Sequence, residues 1–123
     1  MDMYRELILD HYKHPHNYGS MSDPSATGQA YNTTCGDKLV MQIIVNDKKT
    51  ISDIRFSGVG CAISLAAASM LTDTVKGMPI AKALMLTASD ILDMLGSTLT
   101  PSRTKCATLS LEVLHTTIMS LKK

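Results

Sequence analysis

Three cysteines and one aspartate carry most of the chemistry in this sequence. Cys35-Gly36-Asp37 sets a thiol and a carboxylate two residues apart. In an extended segment such a pair points to the same side, so both could reach one metal ion. Gly36 between them permits a turn or a close backbone approach. Cys61 follows Ser57-Gly58-Val59-Gly60 and opens a long apolar stretch, which reads as the junction of a glycine turn and a helix. First-turn amides and the helix dipole there favour a thiolate, the form that binds metal or attacks a persulfide. Cys106 falls in the first turn or two of a last helix, between Arg103, Lys105 and an apolar stripe. Its position and those charges also favour the thiolate. Taken singly, each cysteine fits a packing or loop role as well.

Taken together, each cysteine lies near the edge of an element, where loops meet. Three thiolates and a carboxylate brought to one end of a sheet would suit tetrahedral zinc or an iron–sulfur cluster. The cysteines are widely spaced, without the close pair of a zinc ribbon or finger. Their odd number also argues against a disulfide framework. His11, His14 and His16 gather near the end of the first helix and are weaker metal candidates. His115, on the last helix, reads as surface or partly packed. There is no phosphate-binding loop, serine nucleophile elbow or His-Glu-x-x-His motif.

Composition narrows the class. The 123 residues are 45% hydrophobic, with 12 Lys+Arg against 11 Asp+Glu and a net charge of +1. No basic field exists to attract a nucleic acid or an anionic membrane. Four Tyr, one Phe and no Trp make a base-stacking surface improbable. No apolar run approaches the roughly 20 residues of a membrane helix, and the first residues lack the order of a secretory signal. The chain is expected to be soluble and cytoplasmic, with neither nucleic acid nor membrane as partner. The nine Met read as adaptable core filler.

The elements that must position the cysteines follow from periodicity. Residues 1–13 read as a helix carrying Tyr4, Leu7, Ile8, His11 and Tyr12, ended by Pro15. Residues 20–28 read as loop. A strand is expected around Gln29 to Thr34. Lys38 to Val45 and Thr50 to Ser57 form a hairpin about Asn46-Asp47-Lys48-Lys49, and Ser57 to Gly60 read as turn. Cys61 then opens a helix with Ile63, Ala67, Met70, Leu71 and Thr74 on its apolar face, stopped by Gly77 and Pro79. Short helices at 80–85 and 90–95 precede a last one from near Ser102, with Ala107, Leu111, Leu114, Ile118 and Leu121 as its stripe. Lys122-Lys123 suit its C-terminal end. The order argues for a single α+β domain over residues 1–123. It would have a small three-stranded antiparallel sheet, helices packed on one face, and a metal or cluster site at one end.

These motifs resemble the U-type iron–sulfur cluster scaffolds, the family of IscU, SufU and the NifU N-terminal domain. The resemblance spans essentially the whole chain. It rests on Asp10-His11-Tyr12 with Pro15 and Asn17, on Cys35-Gly36-Asp37, on Gly58-Val59-Gly60-Cys61-Ala62-Ile63-Ser64, and on Arg103-Thr104-Lys105-Cys106-Ala107. It implies an α+β fold and a cysteine desulfurase that delivers persulfide sulfur. It also implies assembly of a [2Fe–2S]-type cluster and transfer to apo iron–sulfur acceptor proteins. Cys35, Cys61 and Cys106 would be ligands and sulfur acceptors, with Asp37 as a fourth, more labile ligand. A carboxylate holds iron less tenaciously than thiolate does. Gly36, Arg103 and Lys105 would modulate the site.

Two markers divide the family. Lys105 stands where IscU-type members carry a His, and Arg-x-Lys-Cys-Ala looks like SufU, some members of which hold zinc and act as sulfurtransferases. The compact gap between Cys61 and Cys106 resembles IscU instead. Thr33 and His16 replace a common Pro and a common Arg. Leu99-Thr100-Pro101-Ser102-Arg103 stands where IscU carries Leu-Pro-Pro-Val-Lys, which argues against a dedicated Hsp70-type chaperone partner. Three readings therefore compete: a cluster scaffold, favoured by the compact gap; a zinc-dependent persulfide transferase using Cys106, favoured by Lys105; and a structural zinc protein.

Overall fold

The computed structural model describes residues 3–32, 36–96 and 101–121. Cys35 lies outside the described residues, as do Thr33 and Thr34, the Leu99-Thr100 part of the Leu99–Arg103 segment, and Lys122-Lys123. The side chain of Arg103 lies outside the description too.

Helix α1 (Met3–Lys13) is followed by strands β1 (Ala26–Asn32), β2 (Asp37–Val45) and β3 (Ile51–Val59). Helices α2 (Ala62–Val75), α3 (Ile80–Ala83), α4 (Ala88–Leu95) and α5 (Pro101–Met119) complete the chain. The strands form one antiparallel sheet in the order β1-β2-β3. Helix α5 lies across β1 and β2, α2 packs on β3 and α5, α1 on α2, and α4 on α5. This is the expected α+β architecture, with the helices on one face of the sheet.

Alternation puts Leu39, Met41 and Ile43 of β2 into the core beneath the helices, with Ala26 and Ala30 of β1 and Ile54 and Phe56 of β3. Val45 was expected to continue that row but is only half-buried. The register shifts between Ile44 and Val45, so that Val45 pairs with Ile51 while Ile44 pairs with Asp53, and this bulge breaks the period. The hairpin turn falls where Asn46 predicted it. The Asn46 side-chain oxygen accepts from the backbone N–H of Lys48 and Thr50.

Other expectations are corrected too. Ala26, Thr27 and Gly28 belong to β1 rather than to a loop, pairing with Ile43, Gln42 and Met41. Ala26 and Gly28 carry little strand signal, yet both are buried where α5 packs on β1. Ser57, Gly58 and Val59 continue β3 rather than turning, since Val40, Leu39 and Lys38 pair with them. Thr74 is exposed, its hydroxyl donating to the Met70 carbonyl. Helix α2 is enclosed by α1, α5, α4 and β3, so its buried set is far broader than one stripe: Ile63, Ser64, Ala66 to Thr72 and Val75.

The outer edge of β3 is covered. Asn17 and Gly19 exchange backbone hydrogen bonds with Phe56, and Tyr18 meets the Phe56 ring edge-on. An edge strand so covered is closed to further pairing. In α1, Ile8 and His11 are buried against α2 while Leu7 and Tyr12 stay largely exposed. Thr87 and Asp90 cap α4 reciprocally. Pro101 is the first residue of α5 rather than its predecessor, a position where its missing N–H costs nothing. Among the described residues no helix is long and apolar enough to cross a membrane.

Candidate metal centre

Asp37, Cys61 and Cys106 come from three elements and meet at one end of the sheet. One ligand atom from each, a carboxylate oxygen and two sulfurs, lies within 4.8 Å of the others. Gly36 has φ +72°, a left-handed conformation that turns the chain into β2 and suits glycine. Asp37 opens β2 and is buried. Cys61 is the N-cap of α2 in extended conformation and is half-buried. Cys106, the sixth residue of α5, is buried and belongs to the core as well as to this cluster. Its place on the edge of the apolar stripe lets it serve both.

A buried carboxylate needs donors, and the start of α2 supplies them to Asp37. The Cys61 backbone N–H donates to Oδ1 at 3.2 Å, and the Ser64 hydroxyl donates to Oδ2. Cys61 Sγ stands 4.0 Å from Asp37 Oδ2 and 3.5 Å from Ser64 Oγ. Gly60 keeps the approach open, since a Cβ there would lie 3.2 Å from the Asp37 carboxyl carbon. The Asn32 side-chain amide is 4.0 Å from Cys106 Sγ.

The Cys61 thiol sits below the ordinary thiol range. Burial pushes it up, and hydrogen bonds from the Ser64 hydroxyl, the Ser64 backbone N–H and the Cys106 thiol outweigh that. The Asp37 charge opposes them as a smaller effect. This is the thiolate-favouring N-terminus of α2 acting on its own N-cap residue. Two sulfurs and a carboxylate suit zinc or iron. Lys105 is exposed beside Cys106, and its ammonium has no lone pair for a metal.

Ser64 is a residue of the site that local pattern does not single out. Its signal is its spacing: three residues after Cys61, it faces the same side of α2. The histidines divide. His11 is buried, His14 is exposed, and His16 meets Asp73 of α2 at 2.5 Å. Burial and the neighbouring His16 hold His11 below the ordinary histidine range against Asp73 and Asp10. His115 is partly packed, with Nε2 3.2 Å from the Ala83 carbonyl.

Fold and centre together describe a small α+β protein that collects thiols and a carboxylate at a sheet end. The chain belongs to the NifU-like N-terminal domain family, which matches residues 3–123, the U-type family to which its motifs pointed. It is 44% identical over 116 residues to the iron–sulfur cluster assembly scaffold protein IscU of Aquifex aeolicus, covering 94% of this chain and 73% of that protein. It is 36% identical over 130 residues to the zinc-dependent sulfurtransferase SufU of Bacillus subtilis, covering 92% and 87%. The crystal structure of a NifU-like protein (N-terminal) from Brucella abortus shares the fold. The TM-score is 0.79 at 15% identity, covering 97% of this chain and 94% of that one.

Proposed function

We propose that this chain is a scaffold for iron–sulfur cluster assembly. It accepts persulfide sulfur from a cysteine desulfurase and binds iron. It builds a [2Fe–2S]-type cluster on Cys35, Asp37, Cys61 and Cys106, and passes the cluster to apo-proteins. The observation that carries this reading is the meeting of the Asp37 carboxylate with the sulfurs of Cys61 and Cys106 within 4.8 Å. The relationship to an IscU scaffold at 44% identity supports it.

The chain's own residues account for the first step. A thiolate attacks the outer sulfur of the desulfurase persulfide. The old S–S bond breaks, a new one forms on the scaffold, and the desulfurase thiolate leaves, with no net oxidation. Any of Cys35, Cys61 and Cys106 can take that sulfur; the half-exposure and lowered thiol range of Cys61 support it as the first acceptor, with Cys106 beside it. Reducing each persulfide to sulfide then consumes two electrons from an external reductant. Asp37 supplies a hard ligand among soft ones, the place where a cluster is released.

The test is one anaerobic reaction with a cysteine desulfurase, cysteine, ferrous iron and reductant, followed by visible spectrum and acid-labile sulfide. A chromophore with sulfide equal to iron, transferable to apo-ferredoxin, is expected. Its absence, with zinc retained and the desulfurase accelerated, overturns the scaffold reading. It favours a SufU-like zinc-dependent sulfurtransferase, in which Cys106 or its neighbour leaves the zinc to accept sulfur. Lys105 beside Cys106 and the 36% identity to SufU favour that second reading.

A further inference from the structure

We propose that His11, His16 and Asp73 form a second cation site, distinct from the thiol–carboxylate centre, that takes one divalent transition-metal ion on two imidazoles and a carboxylate. One ligand atom from each residue lies within 4.8 Å of the others. The two rings stand 4.5 Å apart, centroid to centroid, at 47°. The residues come from α1, from the turn after it and from the last turn of α2. Cys61 and Asp73 are separated by roughly 18 Å along the α2 axis at 1.5 Å per residue.

Two of the three side chains are already held from behind, and the backbone of the third is anchored. His11 Nδ1 is 2.7 Å from the hydroxyl of buried Ser69. That hydroxyl also accepts from the His16 backbone N–H at 2.8 Å. In the tautomer whose Nδ1–H donates to Ser69, the Nε2 lone pair of His11 is the one offered to a metal. The Asn17 side-chain amide donates to Asp73 Oδ1 at 2.9 Å, leaving Oδ2 as the ligand oxygen. Outer partners of this kind fix the tautomer and orientation of metal-binding His and carboxylate groups.

An ion pair between His16 and Asp73 needs neither His11 nor its anchoring to Ser69. A metal uses all three. His16 and Asp73 are half-exposed, at 49% and 45%, so the ion enters from solvent. Their 2.5 Å contact opens by rotation of surface side chains. Two imidazoles with one carboxylate select zinc, ferrous iron, cobalt or nickel over magnesium and calcium, and leave positions for water.

The test is equilibrium titration of the full chain with cobalt(II), anaerobic and under reductant, read by bound metal and by the near-ultraviolet sulfur-to-cobalt band. Two equivalents are expected, only one of which develops that band. His16→Arg sets a guanidinium beside Asp73 but offers no ligating nitrogen. It should weaken the bandless equivalent by about 10-fold or more and leave the band unchanged, and Asp73→Asn should do the same. A bandless equivalent lost in both variants supports the site even if no sulfur band forms, an outcome that counts against the scaffold reading alone. No bandless equivalent in the parent chain, or a bandless equivalent kept at full affinity in either variant, overturns the proposal.

Discussion

The fully buried hydroxyl of Ser64 donates its single proton to the Asp37 carboxylate while its oxygen lies 3.5 Å from Cys61 Sγ. Two potential anions thus share one donor. Whichever of them a metal engages, the proton is left for the other. Ser64→Ala should therefore cost the metal-free protein roughly 1–3 kcal/mol, the penalty for leaving a buried acceptor short of a donor. Urea denaturation with chelator and with excess zinc checks it. The loss should shrink in zinc, where the metal satisfies the carboxylate. An equal loss in both conditions would place the serine's role in packing.

Asp37→Ala separates holding from release. The two described thiols remain, and the one hard ligand is gone. The reconstituted cluster should persist and its transfer to apo-ferredoxin should slow several-fold, measured by the rate of ferredoxin absorbance. A variant that holds no cluster at all would show that the carboxylate is required for assembly.

Cys61 should be the faster of the two described cysteines toward iodoacetamide in metal-free protein. Its thiol lies below the ordinary range and is half-exposed, whereas Cys106 is 4% exposed. The thiolate fraction rises as pH climbs through a lowered pKa. The half-maximal rate should therefore fall below the pH of about 8.5 expected of an ordinary cysteine. Peptide mapping by mass spectrometry resolves the site, and zinc should suppress the reaction. Preferential labelling of Cys106 would reverse the assignment.

Acid sensitivity should appear far from the centre, at Asp53. Burial raises its carboxyl, but the Ile54 N–H, Lys76 and Arg55 outweigh this and hold it low. Arg55 lies at 2.6 Å and Lys76 at 3.4 Å. A carboxyl depressed in the folded state contributes stability above its unfolded pKa of about 3.9 and loses it as pH falls through the lower folded value. Asp53→Asn should cost stability at pH 7, and that difference should fade toward pH 3 in a denaturation series. A difference independent of pH would remove the carboxyl as its origin.

Alternation in 38–45 and the Asn46 turn made the hairpin legible, and the glycine-to-apolar switch at Cys61 marked where α2 begins. Those signals are local. What escaped depends on distant partners. Ala26 to Gly28 are strand because β2 pairs with them, and Ala26 and Gly28 are buried where α5 packs on β1, which their small side chains do not announce. Thr74 fits the helical period, yet it lies on the exposed side of α2, beside exposed Asp73. At the centre, the meeting of Asp37, Cys61 and Cys106 was suggested by their positions at element edges. The donor from Ser64, and the pairing of His16 with Asp73, 57 residues on, left no mark in local pattern. Cys35 lies outside the described residues.

The sheet is a meander whose strands pair in chain order, but its centre also needs α5, laid across β1 and β2. A chain leaving the ribosome would pair Asp37 with the backbone of Cys61 as soon as β2, β3 and the start of α2 are out. It would wait 45 more residues for Cys106. Until that last helix docks, a growing chain offers metal an incomplete ligand set, so metal capture is tied to the end of folding.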